Sequence, residues 1–190
     1  MRAFIAIEIP SEIKKATLEI KNNLSRLLPK VNWTENNNLH ITVKFLGETS
    51  EVTAEKIKQL ISNTAGKTSV FMIKLEAVGV FPNLQQARII WIGEKNASEG
   101  LKRITEQLEL NLEGLGIPKE NRPFTCHTTI GRIKSHIDAR DLQDALDNTR
   151  ESLINQNLKF NATGLTLFKS VFSAKSPDYI PLALAKFRTT

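Results

Sequence analysis

The sequence predicts an α+β fold with mainly antiparallel sheets. Three observations favour this class: strand and helix patterns interleave along the 190 residues, their order is not a regular βαβ alternation, and several predicted strands are joined by short turns. Hydrophobic residues make up 41% of the chain, which is enough for a sizeable core. We therefore expect residues 1–190 to form one domain, or one domain built from two similar halves.

The first half of the chain alternates between the two patterns. RAFIAIEI alternates as a strand, and Ser11 is predicted to be the N-cap of an amphipathic helix that Pro29 ends. Gly66 is predicted to be the C′ residue of a second helix. The predicted elements are a helix over Glu12–Leu28, a strand over Leu39–Phe45, a helix over Thr53–Thr64, and strands over Val70–Val78 and Ala87–Gly93 around the turn Phe81-Pro82-Asn83.

The second half repeats this mixture. Gly116 and Pro118 follow the end of its first predicted helix. The predicted elements are a helix over Ser98–Leu115, a strand over Phe124–Ile133, a short helix over Ala139–Leu146, and strands over Lys159–Phe168, Val171–Ser173 and Leu182–Phe187.

The balance of charges is basic. Lys and Arg number 26 against 20 Asp and Glu, a formal net charge of +6. A positive field concentrates phosphates near a surface, so the composition favours a polyanionic partner. A basic surface that serves only solubility explains the same count, and the charge alone does not separate the two interpretations.

The sequence shows no sign of a membrane segment or of disulfides. No stretch approaches the ~18 to 20 apolar residues of a membrane span, and Glu8 interrupts the apolar start, unlike a secretory signal. A single cysteine, Cys126, excludes an internal disulfide. We expect a cytoplasmic monomer that does not contact a membrane.

Two of the three histidines occupy the same four-residue frame of histidine, any residue, threonine and an aliphatic residue. The frames lie in LHITVKFLG and in CHTTIGR. Side chains two residues apart on a strand share a face, so His40 is expected beside Thr42, and His127 beside Thr129. A half-buried histidine and a good β former would explain either frame alone. Two occurrences among three histidines, about a one-in-a-hundred coincidence at ordinary residue frequencies, favour a shared function.

Two imidazoles and two hydroxyls suit the chemistry of a phosphodiester. Histidines can accept a proton on one side of phosphorus and donate one on the other, while hydroxyls bind the non-bridging oxygens. Two histidines alone make a poor metal site, and the sequence has no phosphate-binding glycine loop, so neither a metal nor a cofactor is expected. Cys126 precedes His127 and would face away from it as a packed thiol, and His136 is expected at the surface.

These motifs, with RAFIAIEIP, WTENNNLHITVKFLGE, GVFPNLQQARIIWIGE and RPFTCHTTIGR, resemble the two-histidine (2H) phosphoesterase superfamily, specifically the RNA 2′,3′-cyclic phosphodiesterases also called 2′-5′ RNA ligases. The resemblance implies a bilobal, pseudo-two-fold fold with two antiparallel sheets facing across a central cleft and helices outside. It also implies metal-independent opening of a 2′,3′-cyclic phosphate at an RNA 3′ end, tRNA fragments included, to leave a 2′-phosphate. The family commonly has proline at the position of Cys126.

The resemblance also implies roles for individual residues. His40 would protonate the departing 3′ oxygen, and His127 would deprotonate the attacking water. The remaining implied residues are Thr42 and Thr129 for the phosphate oxygens, Arg132 as a phosphate clamp, and Phe45 against the terminal base.

Strand alternation conflicts with two of these roles. Phe45 and Arg132 each lie five positions after a histidine, so strict alternation puts them on the opposite face unless the strand bends or ends first. A core aromatic and a surface cation are the alternative interpretations. Lys44 shares the parity of His40 and is expected on its face, where it would add positive potential.

Two further interpretations remain open for the whole chain. The same fold could act on 2′-5′ linkages or on small cyclic nucleotides, such as an ADP-ribose cyclic phosphate. A module that binds RNA ends without turnover would use the histidines only as phosphate ligands.

Overall fold

The computed structural model describes residues 1–172 and 177–189. These residues form four α-helices and antiparallel sheets, which confirms the predicted α+β class. None of the helices in these two ranges combines the length and apolar character that a membrane span requires.

The first part of the chain contains two helices, each placed between strands. A 3-10 turn over Asn36–Asn38 leads directly into the third strand. The elements are β1 (Arg2–Glu8), α1 (Ser11–Leu27), β2 (Val31–Trp33), β3 (His40–Glu48), α2 (Glu51–Ala65), β4 (Phe71–Lys74) and β5 (Ala77–Phe81).

The second part repeats the series strand, helix, strand, helix, strand, strand, and adds a final strand. The elements are β6 (Ile89–Gly93), α3 (Glu99–Glu113), β7 (His127–Ile133), α4 (Ala139–Gln156), β8 (Lys159–Ala162), β9 (Gly164–Phe172) and β10 (Pro177–Lys186). With β2 and β10 set aside, β1 to β5 and β6 to β9 therefore have the same element order.

The two repeated halves exchange strands. The first sheet has the order β10-β9-β1-β3, and the second has the order β2-β7-β6-β5. The last strand of each half therefore pairs with the first strand of the other half: β9 with β1, and β5 with β6. The short strands β4 and β8 pair with each other in a third sheet. Each large sheet is thus built from both halves of the sequence.

The larger of two hydrophobic clusters among the described residues joins the helices to the sheets. It includes Ile5 and Ile7 of β1, Ile90 and Ile92 of β6, and apolar residues from all four helices. A smaller cluster of Phe4, Ala6 and Phe168 lies on the other face of the first sheet, with Tyr179 packed against it. Burial on both faces explains why β1 has an almost unbroken buried pattern.

Several predicted boundaries at the helix ends are wrong. Ser11 is the first helical residue, and Pro10 is the N-cap, since its carbonyl accepts the first helical hydrogen bond from Lys14 (3.0 Å). Gly66 is a C-cap with right-handed φ of −62°, not a C′ residue. The predicted helix over Ala139–Leu146 continues to Gln156, because buried Thr149 and Leu153 extend its apolar face through a polar sequence.

Two predicted strands are each divided between sheets. The Val70–Val78 segment forms β4 and β5, which pair with different partners on either side of Leu75 and Glu76. The Lys159–Phe168 segment divides into β8 and β9 in the same way, and β9 absorbs the predicted strand at Val171, whose predicted end at Ser173 lies outside the described residues. These divisions could not be predicted from strand propensity, because the sequence favours extended backbone on both sides of the point where the chain passes from one sheet to another.

Candidate active site

One cavity of about 450 Å³ lies between the two large sheets. It is lined from the first sheet by β1, β3, β9 and β10, and from the second by β2 and β7. The residues predicted as functional that line it are His40, Thr42, Phe45, His127, Thr129 and Arg132. The structure thus brings the two sequence frames to a single cleft.

Each histidine frame is anchored by a buried back. His40 and Thr42 line the cavity while Ile41 and Val43 are buried, and the alternation in β7 is the same, with Thr128 and Ile130 buried. Because the apolar residues face the core, the pleat directs the imidazole and the hydroxyl of each frame to the cleft.

Both imidazoles are held in the same tautomer. His40 Nδ1 donates to the carbonyl oxygen of Asn38 (2.7 Å), and His127 Nδ1 donates to that of Thr125 (2.8 Å). A carbonyl oxygen can only accept, so Nδ1 carries the hydrogen in both rings. Nε2 is then the basic nitrogen of each neutral ring, and at His40 it accepts from the Thr42 hydroxyl (3.1 Å). In each frame, therefore, a hydrogen bond to a backbone carbonyl orients the ring and leaves Nε2 available for proton transfer.

Burial makes both histidines weak bases. It lowers the pKa of His40 to about 4, with smaller lowering by the charges of Lys14 and His127, while the bond to Asn38 opposes the shift. Burial also lowers the pKa of His127, and the bond to Thr125 opposes it. Both rings are therefore neutral at pH 7.

Aromatic rings hold both imidazoles in place. The His40 ring stacks on Phe4, with centroids 4.8 Å apart, and meets the edge of Tyr179 at 5.0 Å. The His127 ring meets Phe81 edge-on at 5.0 Å and packs against Trp91. These aromatic contacts were not predicted from the sequence. The alternation of RAFIAIEI predicted a strand that contains Phe4, but it did not indicate that this ring would contact His40.

A β-bulge brings Phe45 to the histidine face of β3. The register against β1 passes from Lys44 directly to Thr42, so Val43 is an extra residue. The bulge reverses the alternation, and Phe45 emerges into the cleft with 63% of its surface exposed. The face of β3 that bears His40 and Thr42 therefore continues with Phe45 instead of Lys44.

The same bulge occurs at the same place in β7. The register against β6 passes from Gly131 directly to Thr129, so Ile130 is the extra residue. Arg132 consequently lines the cleft and is exposed. Tyr179 lies across the cleft from Arg132, on the first sheet. Burial raises the pKa of Tyr179, whereas the positive charge of Arg132 acts to lower it, so the Arg132 charge is felt on the other side of the cleft.

The prediction that Lys44 shares the His40 face is wrong for the same reason. The bulge turns Lys44 inward, where the residue is 2% exposed. Its ammonium group donates to both carboxylate oxygens of Glu109 (2.7 and 2.8 Å) and to the carbonyl oxygen of Pro118 (2.8 Å). Lys44 therefore connects β3 to α3 and adds no free charge to the cleft.

The loop before His40 is fastened to α1. Lys14 donates to the carbonyl oxygen of Asn37 (3.2 Å), and buried Lys21 donates to the carbonyl oxygen of Thr34 (2.6 Å) and to the side chain of Asn36. These bonds fix the 3-10 turn whose last residue orients His40. Sequence reasoning did not find this support.

The two side chains assigned no chemistry lie where they were expected. Cys126 is buried in the core, and burial raises the pKa of its thiol, with a further contribution from the charge of Glu94. His136 is exposed. Within residues 1–172 and 177–189, no cluster of three or more His, Cys, Asp or Glu is placed to hold a metal ion.

The chain is similar to known proteins along its whole length. A family model described as LigT-like phosphoesterase matches residues 7–91 and again residues 92–177, and each match contains one histidine frame. An RNA 2′,3′-cyclic phosphodiesterase of Methanocaldococcus jannaschii is 35% identical over 179 residues, 94% of this chain and 96% of the relative. One of Aquifex aeolicus is 30% identical over 184 residues, 94% and 93% of the two chains.

Solved structures give the same result. The crystal structure of TT0787 of Thermus thermophilus superposes with a TM-score of 0.82 at 25% identity, covering 100% of this chain and 99% of the other. Escherichia coli LigT complexed with 3′-AMP has a TM-score of 0.77 at 22% identity over 98% and 97% of the chains, a likeness of fold alone. The double family match and the relatives' identity and coverage together show that this chain belongs to the LigT-like phosphoesterases.

Proposed function

We propose that this protein hydrolyses 2′,3′-cyclic phosphate ends of RNA to 2′-phosphate ends, without a metal, by general acid and base catalysis from His40 and His127. The observation that carries the proposal is that two distant histidine–threonine frames line one cavity, each with Nδ1 fixed on a carbonyl and Nε2 left for proton transfer. The names of the Methanocaldococcus and Aquifex relatives support the substrate.

The reaction needs two proton transfers at one phosphorus. His127 Nε2 accepts a proton from the attacking water as the new P–O bond forms. As the bond from phosphorus to the 3′ oxygen breaks, His40 Nε2 donates a proton to that oxygen. The products are a 3′-hydroxyl and a 2′-phosphate, and the hydroxyls of Thr42 and Thr129 bind the non-bridging oxygens.

The acid role of His40 requires the substrate. With its pKa lowered to about 4 by burial, His40 is unprotonated at neutral pH. A phosphodiester anion placed beside Nε2 favours the charged imidazolium and raises the pKa, so substrate and proton bind together. Thr42 must then release Nε2 to bind the phosphate, which a rotating hydroxyl allows.

Arg132 and Phe45 complete the proposed site. The exposed guanidinium of Arg132 can bind phosphate oxygens in a forked pattern. The exposed ring of Phe45 offers a stacking surface to the terminal base. The bulges in β3 and β7 support both roles, since each brings its residue to the histidine face.

The test is a product analysis with a short RNA that ends in a 2′,3′-cyclic phosphate, in excess chelator. We expect a 2′-phosphate end. A 3′-phosphate product, or activity only with added metal, would contradict the proposal, and tight binding without turnover would identify an RNA-end binding module instead. Rates on 2′-5′-linked dinucleotides and on an ADP-ribose cyclic phosphate measure the preference among related substrates.

A further inference from the structure

The cleft continues past the histidines to a second exposed aromatic ring. Phe172, at the end of β9, lines the same cavity and is 71% exposed. A large apolar side chain gains nothing from water contact, and an exposed ring at the wall of a binding cleft offers a surface for stacking. Phe172 has the parity of Phe168, whose ring packs on Phe4 beneath the cleft, so it continues the cleft face of the sheet.

An arginine that has no acidic partner in the part of the chain that the structure describes lies on this ring. The guanidinium carbon of Arg2 is 5.4 Å from the centroid of Phe172. Among the described residues Arg2 forms no ion pair and no side-chain hydrogen bond, and its cross-strand neighbour Glu48 pairs with the Met1 amino group (3.3 Å). The positive charge of Arg2 therefore remains available to an anion in the cleft.

The pair lies one short step beyond the histidines. Arg2 and Phe4 are two residues apart on β1, a separation of about 7 Å along the strand, and the Phe4 ring stacks on His40. A ligand whose phosphate lies at the histidines would meet Arg2 and Phe172 with its next charged and planar groups. In an oligonucleotide the group next to the terminal phosphate and sugar is a linking phosphate, which is charged, followed by a nucleotide with a planar base.

We propose that Arg2 and Phe172 form a subsite for the nucleotide that precedes the cyclic phosphate end. Phe172 stacks on the base of that nucleotide, and Arg2 binds the phosphate that links it to the terminal one. This inference rests on the proposed function and deepens it, because it makes an oligonucleotide a better substrate than a mononucleotide.

The experiment compares a mononucleotide 2′,3′-cyclic phosphate with a dinucleotide that has the same terminal nucleotide. We expect the unaltered protein to show a higher kcat/KM for the dinucleotide. Phe172→Ala should lower the ratio of the two values by about 5- to 150-fold, the range for loss of one base–aromatic stack. Phe172→Tyr keeps a ring and should restore the ratio.

A dinucleotide whose first nucleotide lacks its base separates the two residues. With this substrate Phe172→Ala should have little further effect, whereas Arg2→Gln should still lower kcat/KM because the linking phosphate is present. The matched control is Ile180→Ala, which removes an exposed apolar side chain at the position after Tyr179 on β10 and should leave both rates unchanged.

The outcomes distinguish the two proposals. Turnover of the mononucleotide with no gain from the second nucleotide, or an equal loss on both substrates in Phe172→Ala, overturns the subsite and leaves the proposed function intact. Turnover of neither substrate by the unaltered protein overturns the proposed function and the subsite with it.

Discussion

At the scale of single residues, the main feature is that the two histidines are equivalent in their support and unequal in their surroundings. Both donate Nδ1–H to the carbonyl two residues earlier and both contact aromatic rings. Only His40 has its Nε2 within hydrogen-bond distance of its own threonine. The hydrogen bonds thus fix the ring orientation, while burial and neighbouring charge set the proton affinity.

Removing either imidazole should abolish most turnover. His40→Ala and His127→Ala should each lower kcat by about 10²- to 10⁴-fold, the usual contribution of a positioned acid or base. The measurement is steady-state hydrolysis of a cyclic-phosphate RNA, with circular dichroism to verify folding. His136→Ala is the matched control, since that histidine is exposed and lies outside the cleft. Near-normal turnover by a folded His127→Ala protein would exclude the two-histidine mechanism.

The low pKa of His40 should make stability depend on pH. The folded pKa of about 4 lies below the ordinary 6.5, so the unfolded state binds more protons between these values and stability falls as the pH falls. The loss should reach about 2 kcal/mol by pH 5. Urea unfolding of the unaltered protein and of His40→Gln at pH 7 and pH 5 measures it.

The His40→Gln protein should lose less stability than the unaltered protein over this interval, whereas His136→Gln should behave like the unaltered protein. Equal pH dependence of stability in the unaltered, His40→Gln and His136→Gln proteins would show that folding does not lower the pKa of His40.

At the scale of elements, the β-bulges decide which side chains enter the cleft. The histidine–threonine frames could be predicted because alternation over three residues depends only on the strand itself. The faces of Lys44, Phe45 and Arg132 could not, because a bulge is set by the register against a neighbouring strand. Phe45 and Arg132 were expected on the histidine face only if their strands departed from strict alternation, and the bulges are such departures. The expectation that Lys44 lies on the His40 face assumed strict alternation and is wrong.

The inward-turned Lys44 should make its partner important for stability. Glu109→Ala leaves a buried ammonium group without its carboxylate and should cost about 2 to 4 kcal/mol, somewhat below a fully buried pair because Glu109 is partly exposed. Chemical denaturation measures the loss.

The same helix offers a matched control for this change. Glu113 pairs with Lys119 at the surface, so Glu113→Ala should cost less than about 1 kcal/mol. Equal effects of the two substitutions would mean that the Lys44 pair contributes no more than a surface pair.

At the scale of the whole molecule, the exchange of β5 and β9 joins the two repeated halves. The sequence indicated the repeat through its two histidine frames, and the family model matches twice. The exchange itself could not be predicted, because it depends on which sheet edge each strand meets after the chain has folded back. The place of Tyr179 beside His40 was likewise beyond the sequence, since it depends on how β10 pairs with β9.

We propose that the chain is a single domain whose halves do not fold alone. Fragments 1–91 and 92–177 each lack strands that complete a large sheet, so neither should show a cooperative unfolding transition, whereas the full chain should unfold in one step. Circular dichroism during urea titration measures this. A cooperative transition from either fragment alone would contradict the single-domain proposal.

The strand exchange also has a consequence for biosynthesis. β1 is synthesised before β9, and a long intervening segment must be translated before Arg2 of β1 can pair with Ser170 of β9. Until then that edge exposes unpaired amide and carbonyl groups, the kind of surface that recruits other nascent chains. The first sheet is therefore completed only after the segment between β1 and β9 has been synthesised, and slow elongation through that segment prolongs the exposure of the unpaired edge.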